Sequence, residues 1–166
     1  MARSPRSKES RAGISWFFKE IKKASTDFKY NTFNPVKDPF IGGLFFFVYS
    51  PKYKDKLPYW DKFPLVIPFG IDSDSFIGLN LHYLPSAERL KLLSFLQKNK
   101  AKKTTRQYMS ISYSVLKAAA HTDLFKPCIH RYLKSHLRSR LVKVDSESWD
   151  KVAVLPTQQF QKSSPY

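Results

Sequence analysis

The fold of this chain is decided by the stretch GGLFFFVYSP, residues 42–51. Its central six residues, Leu44 to Tyr49, are continuously apolar, and Ser50-Pro51 ends the run. Such a run is typical of a strand that is buried on both faces. It is too short to cross a bilayer, which takes about 18 or more apolar residues. The sequence therefore predicts a covered central strand and no membrane span.

Further elements are predicted on the carboxyl side of this strand. Residues 65–69 and 76–83 are β-prone runs, separated by a loop of Gly, Asp and Ser residues that favour turns. With the central strand they predict a small antiparallel sheet. A helix is predicted from Pro85 to about Lys98, because Pro is tolerated at the first helical position and the leucines that follow form a wide apolar face. Residues 141–144 are predicted as a strand.

The segment between residues 98 and 140 is predicted to combine a loop with short elements. Residues 98–106 are too polar for a core and are expected to be a flexible basic loop. Residues 107–111 favour a strand, and residues 113–120 favour a short helix. Residues 127–140 are predicted as a helix, because apolar side chains recur on one side at helical spacing and basic side chains share the other side.

The amino-terminal part is predicted as a basic arm over residues 1–40, in front of a domain over residues 41–166. Residues 14–21 carry apolar positions at helical spacing and predict a short amphipathic helix, which could dock on the domain, on a partner protein or on a membrane surface. Residues 24–40 are predicted as an extended linker, because Asn34-Pro35 and Asp38-Pro39 prevent a continuous helix. The fold class expected is α+β, with one compact domain, a small antiparallel sheet and two or three packed helices.

Positive charge is concentrated in one part of the sequence. Between Lys98 and Lys143 there are twelve Lys and Arg residues and a single acid, Asp123, so this segment carries +11 of the net +16 of the chain. Segregated charge of one sign repels itself unless an anionic partner is present, and phosphate backbones are the commonest such partner. The pattern favours nucleic acid, while an acidic protein, a membrane surface or a merely solvated face stay open.

The candidate nucleic-acid-binding residues form two clusters in the sequence. One lies in the basic loop, and the other lies on the predicted helix at 127–140, where parallel cationic side chains can meet successive phosphates. The residues are Lys98, Lys100, Lys102, Lys103, Arg106, Lys126, Arg131, Lys134, Arg138 and Arg140. We expect both clusters to form one surface that binds without sequence preference, because no major-groove reading motif is recognisable.

Catalysis finds little support in the sequence. Asp72 with Asp74, and the acids that follow Val144, are residue types that could hold a metal for phosphodiester cleavage. A turn between strands and the start of a helix favour the same residues for structural reasons. Cys128 and His130 point to different sides of the predicted helix, so no thiol–imidazole pair is expected. The sequence predicts no enzymatic activity, no cofactor, no metal and no small-molecule substrate.

Several short blocks resemble a known family. These are LPYWDKFPLVIP at residues 57–68, GLNLHYLP at 78–85, FKPC at 125–128 with RYL at 131–133, and LPT at 155–157. They resemble a family of small basic virion-associated proteins of T-even-type tailed phages, linked to DNA-end protection and head completion. The resemblance implies a protein that caps the ends of packaged duplex DNA by occupying them, without an active site.

The block at residues 57–68 also has a physical interpretation. Tyr59, Trp60 and Phe63, beside Pro58 and Pro64, predict a stiff aromatic corner that leads into a strand. The alternative is that these rings form a surface on which DNA ends stack.

These observations predict a protein that binds double-stranded DNA and caps or protects its ends in the phage particle. Other virion proteins are expected as further partners, and the host cytoplasm as the location during assembly. The alternative is a structural subunit of the neck, tail or baseplate that docks an acidic protein surface and inserts its Trp16-Phe17-Phe18 segment into a neighbour.

Overall fold

A computed structural model describes residues 15, 19, 33–102, 104–119, 121–155 and 157–163 of the 166-residue chain. The amphipathic helix predicted in the arm therefore lies outside the described residues, apart from two isolated positions. The elements in chain order are β1 (Phe33–Val36), β2 (Leu44–Phe46), β3 (Trp60–Asp61), β4 (Leu65–Ile71), β5 (Ser75–Asn80), α1 (Ser86–Lys102), α2 (Thr105–Ala119), β6 (Ile129–Leu133), β7 (Leu141–Val144), α3 (Trp149–Ala153) and β8 (Phe160–Gln161). No helix of the described part is long and apolar enough to cross a membrane.

Six of these strands form one antiparallel sheet in the order β1-β7-β2-β4-β5-β6. Strand β2 lies inside the sheet, where Phe45 is opposite both Val66 of β4 and Lys143 of β7. Strands β3 and β8 pair separately as a short two-stranded sheet. Helices α1 and α2 follow each other between β5 and β6, and α1 also packs against α3. This arrangement is the predicted α+β class with one compact domain.

The two faces of the large sheet carry separate hydrophobic clusters. Leu44 and Phe46 point to one face, and Phe45 and Phe47 point to the other, as alternate residues of a strand do. All four side chains are fully buried. The first face is covered by apolar side chains from all three helices, among them Leu93 of α1. The prediction of a central strand buried on both faces is confirmed, and β2 itself is shorter than the apolar run.

The second face is packed with aromatic rings. Phe47 meets Phe76 of β5 and Tyr132 of β6 edge-on, with ring centroids 5.7 and 5.2 Å apart. Phe76 and Tyr132 stack at 5.4 Å. Such pairs contribute about 0.5–1.5 kcal/mol each beyond the burial of their area. The rings therefore favour the pairing of β6 with β5, although these strands are far apart in the sequence.

The helix predicted over residues 127–140 is wrong. Ile129–Leu133 is strand β6, and the short 3₁₀ helix Lys134–His136 follows it. The apolar positions of this segment recur every four residues, and a spacing of four agrees with the strand period of two as well as with the helical period of 3.6. The local pattern could not discriminate between them, and the packing of Tyr132 among distant rings decides for the strand.

The basic segment at residues 98–106 is mostly helical and is not the flexible loop that was expected. Helix α1 continues to Lys102, and α2 begins at Thr105, so the strand predicted at 107–111 is also wrong. The Thr104 hydroxyl accepts from the Gln107 amide at 3.3 Å, and the Gln107 side-chain carbonyl accepts from the Thr104 amide at 3.1 Å. This reciprocal pair is a capping box, which starts a helix and here outweighs the strand preference of the residues that follow.

Part of the predicted linker belongs to the sheet. Phe33–Val36 is extended, as expected, but it is also an edge strand whose Val36 is opposite Leu141 of β7. Pro35 is tolerated there because an edge strand leaves one side without ladder hydrogen bonds. The division into an arm over residues 1–40 and a domain over residues 41–166 stays a prediction.

A substitution at Gly78 tests how tightly β5 packs against β4. A Cβ atom at Gly78 would lie 2.3 Å from Val66 Cγ1 and 2.9 Å from the Ile67 carbonyl oxygen, whereas one at Gly70 would lie 3.8 Å from its nearest neighbour, Ile77 Cβ. We expect Gly78→Ala to lower the free energy of unfolding by about 1–3 kcal/mol, the usual effect of overpacking, measured by urea denaturation. Gly70→Ala is the matched control. Equal effects of the two substitutions would contradict this packing.

Candidate nucleic-acid interface

The first group of predicted cations lies around the junction of α1 and α2. We call Lys98, Lys100 and Arg106 the helix-junction group; the side chains of Lys102 and Lys103 lie outside the described part. Lys100 Nζ is 5.6 Å from the Trp149 ring centroid. Burial lowers the pKa of Lys100, and the nearby Lys143 lowers this pKa further. Lys100 therefore sits near Lys143 of β7, where the two positive charges are close enough to repel each other.

The second group lies on and after β6. We call Arg131, Lys134, Arg138 and Arg140 the crossing group, because residues 134–140 carry the chain from β6 across to β7. This segment runs beside the continuation of β2: the Arg138 amide donates to the Val48 carbonyl at 2.8 Å, and the Ser50 amide donates to the His136 carbonyl at 3.2 Å. Hydrogen bonds to residues 48 and 50 therefore hold the backbone of this segment in a conformation that is not α-helical.

The two sequence clusters do not form one helical face. Arg140 precedes the first residue of β7, whereas Lys100 lies near its last residues, and these positions are separated by a strand of four residues, about 13 Å long. Lys126 precedes β6, whereas Lys134 follows it. The helix and the loop that were expected to carry these cations are wrong, because Arg131 lies on a strand and Lys98 and Lys100 lie on α1. That the cations form one surface stays a prediction.

Some cations of the crossing group have acidic partners. Arg131 Nη1 is 3.3 Å from Asp72 Oδ2 and 3.1 Å from the Ser75 hydroxyl. Lys134 Nζ is 3.5 Å from Asp38 Oδ1. Exposed pairs of this kind contribute at most about 1 kcal/mol, so a phosphate can compete for the same cations. Among the described residues, no acid lies within salt-bridge distance of Lys98, Arg106, Lys126 or Arg140.

The aromatic corner is divided between the core and a cavity. Phe63 is buried and stacks on Phe46 at 5.9 Å, so it is an architectural residue. Tyr59 and Trp60 are only partly buried, and both line a cavity of about 440 Å³. The sequence did not indicate this cavity, because its walls come from the 51–60 loop, β5 and β6, and β6 was predicted as part of a helix.

A buried polar network lies behind the cavity. The Asp61 carboxyl group accepts from the Phe63 amide at 3.0 Å, from the Asn80 side chain at 3.2 Å and from the Gln159 amide at 3.3 Å, and His82 Nδ1 lies 2.5 Å from it. Thr157 Oγ1 lies 3.3 Å from His82 Nε2. The network joins β3, the end of β5 and the carboxyl-terminal segment, so it fixes the wall that carries Tyr59 and Trp60.

The described part of the chain assembles little of the equipment for hydrolysis. Thr157, His82 and Asp61 are in the order of a hydroxyl–imidazole–carboxyl triad, but all three are buried at 3% exposure or less, so a substrate cannot reach the hydroxyl. The Asp72 carboxyl group is engaged by Arg131 and Ser75. The described residues contain no group of three or more His, Cys, Asp or Glu side chains that could hold a metal. Burial raises the pKa of Cys128 to about 12, which suppresses its thiolate.

Taken together, the fold and its charge define a small basic α+β protein with cationic groups at strand ends and an aromatic cavity beside them. The chain belongs to the family described as phage T4 terminal DNA protecting protein, which matches residues 2–166. This agrees with the resemblance to a T-even phage family, and the family's description refers to protection of phage DNA ends. The comparisons found no match among curated proteins or solved structures.

Asp61 provides a test of the buried network. Asp61→Ala removes the acceptor for at least three donors and leaves them buried, at a cost of about 1–3 kcal/mol for each group. We expect the free energy of unfolding, measured by urea denaturation, to fall by roughly 3 kcal/mol or more. Asp55→Ala, on the exposed part of the 51–60 loop, is the control and should change it by less than about 0.5 kcal/mol. A small effect at Asp61 would show that the network does not hold these segments.

Proposed function

We propose that this protein binds the ends of packaged double-stranded phage DNA without sequence preference and protects them by occupancy during head completion. The observation that carries the proposal is the net charge of +11 between Lys98 and Lys143 in a chain of the terminal DNA protecting family. The location that follows is the phage particle, and the host cytoplasm during assembly. Other virion proteins are further partners in this proposal.

The cations act through phosphate contacts. Each Lys or Arg that neutralises a phosphate releases condensed counterions, and this entropic gain is independent of the base sequence. Arg138 is partly exposed and Arg140 is exposed, and both belong to a segment whose backbone pairs with residues 48–50. A backbone held in this way keeps the guanidinium groups in place before DNA arrives, so less conformational entropy is lost on binding.

The geometry of the crossing group also supports binding without sequence preference. In the described residues, the basic side chains of the crossing group come from a strand, a 3₁₀ helix and a loop, and none is presented on a helix that could enter a major groove. Phosphate contacts give affinity and position but carry no base information. An end-protecting protein has to bind whatever sequence terminates the genome, and this kind of contact suits that requirement.

The proposal predicts strong salt dependence and a preference for ends. Affinity for blunt linear duplex and for closed circular duplex of the same sequence should be measured at two salt concentrations. We expect tighter binding to the linear form and a fall in the logarithm of the association constant of about 0.9 per unit log salt for each neutralised phosphate. Binding that follows an acidic virion protein and ignores added DNA would instead favour the structural subunit of the neck, tail or baseplate.

The two groups of cations can be tested separately. We expect each of two double variants to reduce the salt slope by about 1–2 and to weaken binding equally for different DNA sequences. One variant combines Arg138→Gln with Arg140→Gln, and the other combines Lys98→Gln with Arg106→Gln. Lys91→Gln is the control, because Lys91 is exposed and already paired with Glu88 at 3.0 Å outside both groups. An unchanged slope for a double variant would exclude that group from the interface.

A further inference from the structure

The cavity beside the phosphate-binding cations has no role in the contacts described so far. It measures about 440 Å³ and lies between the 51–60 loop and strand β6. This volume is within the range of sites that hold small organic ligands. Tyr53, Tyr59 and Trp60 are among the lining residues, and Tyr53 is 58% exposed. Aromatic rings therefore supply part of the walls, and a planar ligand can stack on such rings.

The inner part of the cavity carries a hydrogen-bond acceptor without a partner. His130 lines the cavity, and its Nε2 is buried and has no hydrogen-bond partner among the described residues. The His130 ring also hydrogen-bonds to the backbone of Pro127, which has no N–H, so the ring donates to the carbonyl through Nδ1. Burial lowers the pKa of His130, which favours the neutral ring and leaves Nε2 as an acceptor. A buried acceptor of this kind favours a ligand that brings an N–H group.

The mouth of the cavity is positively charged. Lys52 Nζ and Lys56 Nζ lie 5.3 and 5.8 Å from the centroid of the Tyr53 ring. Arg131, the nearest member of the crossing group, also lines the cavity. The loop that carries the two lysines is anchored to the carboxyl-terminal segment, because Lys162 Nζ donates to the carbonyls of Asp55 at 2.8 Å and Leu57 at 3.0 Å. A phosphate attached to a stacked ring would meet the two lysines, and Arg131 would exchange its contact with Asp72 for the phosphate.

We propose that this cavity binds the terminal nucleobase of a DNA end, unpaired from its partner, with its phosphate held by Lys52, Lys56 and Arg131. A planar ring with N–H groups and a neighbouring phosphate matches the aromatic walls, the buried acceptor and the charged mouth together. An internal base would have to be flipped out of a stack that continues on both sides, whereas a terminal base loses stacking on one side only. The inference rests on the proposed function and adds to it the reason why an end is preferred.

Duplexes with 2-aminopurine provide the first test, with the base analogue placed either at the terminal position or at an internal one. We expect binding of the protein to change the fluorescence of the terminal probe, because the analogue leaves its stack for aromatic side chains, and to leave the internal probe unchanged. Tyr53→Ala and His130→Phe should abolish the terminal change and reduce the linear-to-circular affinity ratio by roughly tenfold. The salt slope should fall by no more than about 1, the contribution of that one phosphate, since the other phosphate contacts of the crossing group are intact.

The matched control is Tyr113→Ala. Tyr113 is 37% exposed on α2 and has Lys117 Nζ 5.7 Å from its ring centroid, so it reproduces the Tyr53 environment outside the cavity. Tyr53→Ala removes a mostly exposed ring, and its urea midpoint should equal that of the unmodified protein. A terminal probe that keeps the fluorescence of the unbound duplex while DNA is bound would overturn the proposal, as would a ratio that Tyr53→Ala and Tyr113→Ala change equally.

A deoxynucleoside 5′-monophosphate, titrated into the protein and followed by calorimetry, separates this proposal from the proposed function. Binding that is lost in His130→Phe and kept in Tyr113→Ala supports the cavity even where duplex DNA is not bound, in which case only the proposed function fails. Duplex binding with normal salt dependence but no mononucleotide binding overturns the cavity proposal and leaves the phosphate contacts standing.

Discussion

The Asp61 carboxyl group holds together three parts of the chain that are far apart in sequence. Burial of such a group is costly unless its oxygens are hydrogen-bonded, and here the donors come from the turn between β3 and β4, from the end of β5 and from the segment before β8. Arg89, the other buried charged residue beside it, is compensated by the carbonyls of Leu84 at 2.7 Å and His82 at 3.2 Å. The apolar sheet gives the domain its stability, and this polar network fixes where the two-stranded sheet sits against it.

The sequence predicted those elements that are determined by nearby residues. The apolar run of β2, the leucine face of α1 and the strand β7 follow from composition and period alone. Residues 127–140 were assigned wrongly as a helix, because a four-residue spacing satisfies both periods and the deciding contacts of Tyr132 come from Phe76 and Phe47, which lie 56 and 85 positions earlier. The start of α2 was visible as a Thr-x-x-Gln capping box, a short signal that general strand preference obscured.

The arrangement of the candidate site also depends on residues that are far apart in sequence, so it could not be predicted from local patterns. The concentration of positive charge between residues 98 and 143 was evident from composition, but its arrangement in space depends on strand order. Because β6 and β7 are at different positions in the sheet, cations that are neighbours in sequence are placed at separate ends of strands. The cavity was missed for the same reason, since His130 and Arg131 join Tyr59 and Trp60 only when β6 is a strand beside β5.

In the proposed function, phosphate contacts and the aromatic cavity would contribute to end binding in different ways. The counterion-release term is the same at an end and in the interior, so it raises affinity for both equally. A linear genome offers far more internal positions than ends, and a protein that relied on this term alone would be distributed along the duplex. Discrimination therefore has to come from a group that only an end presents. A terminal base with stacking on one side is such a group, and the cavity beside Arg131 lies where the charged segment and the aromatic corner meet.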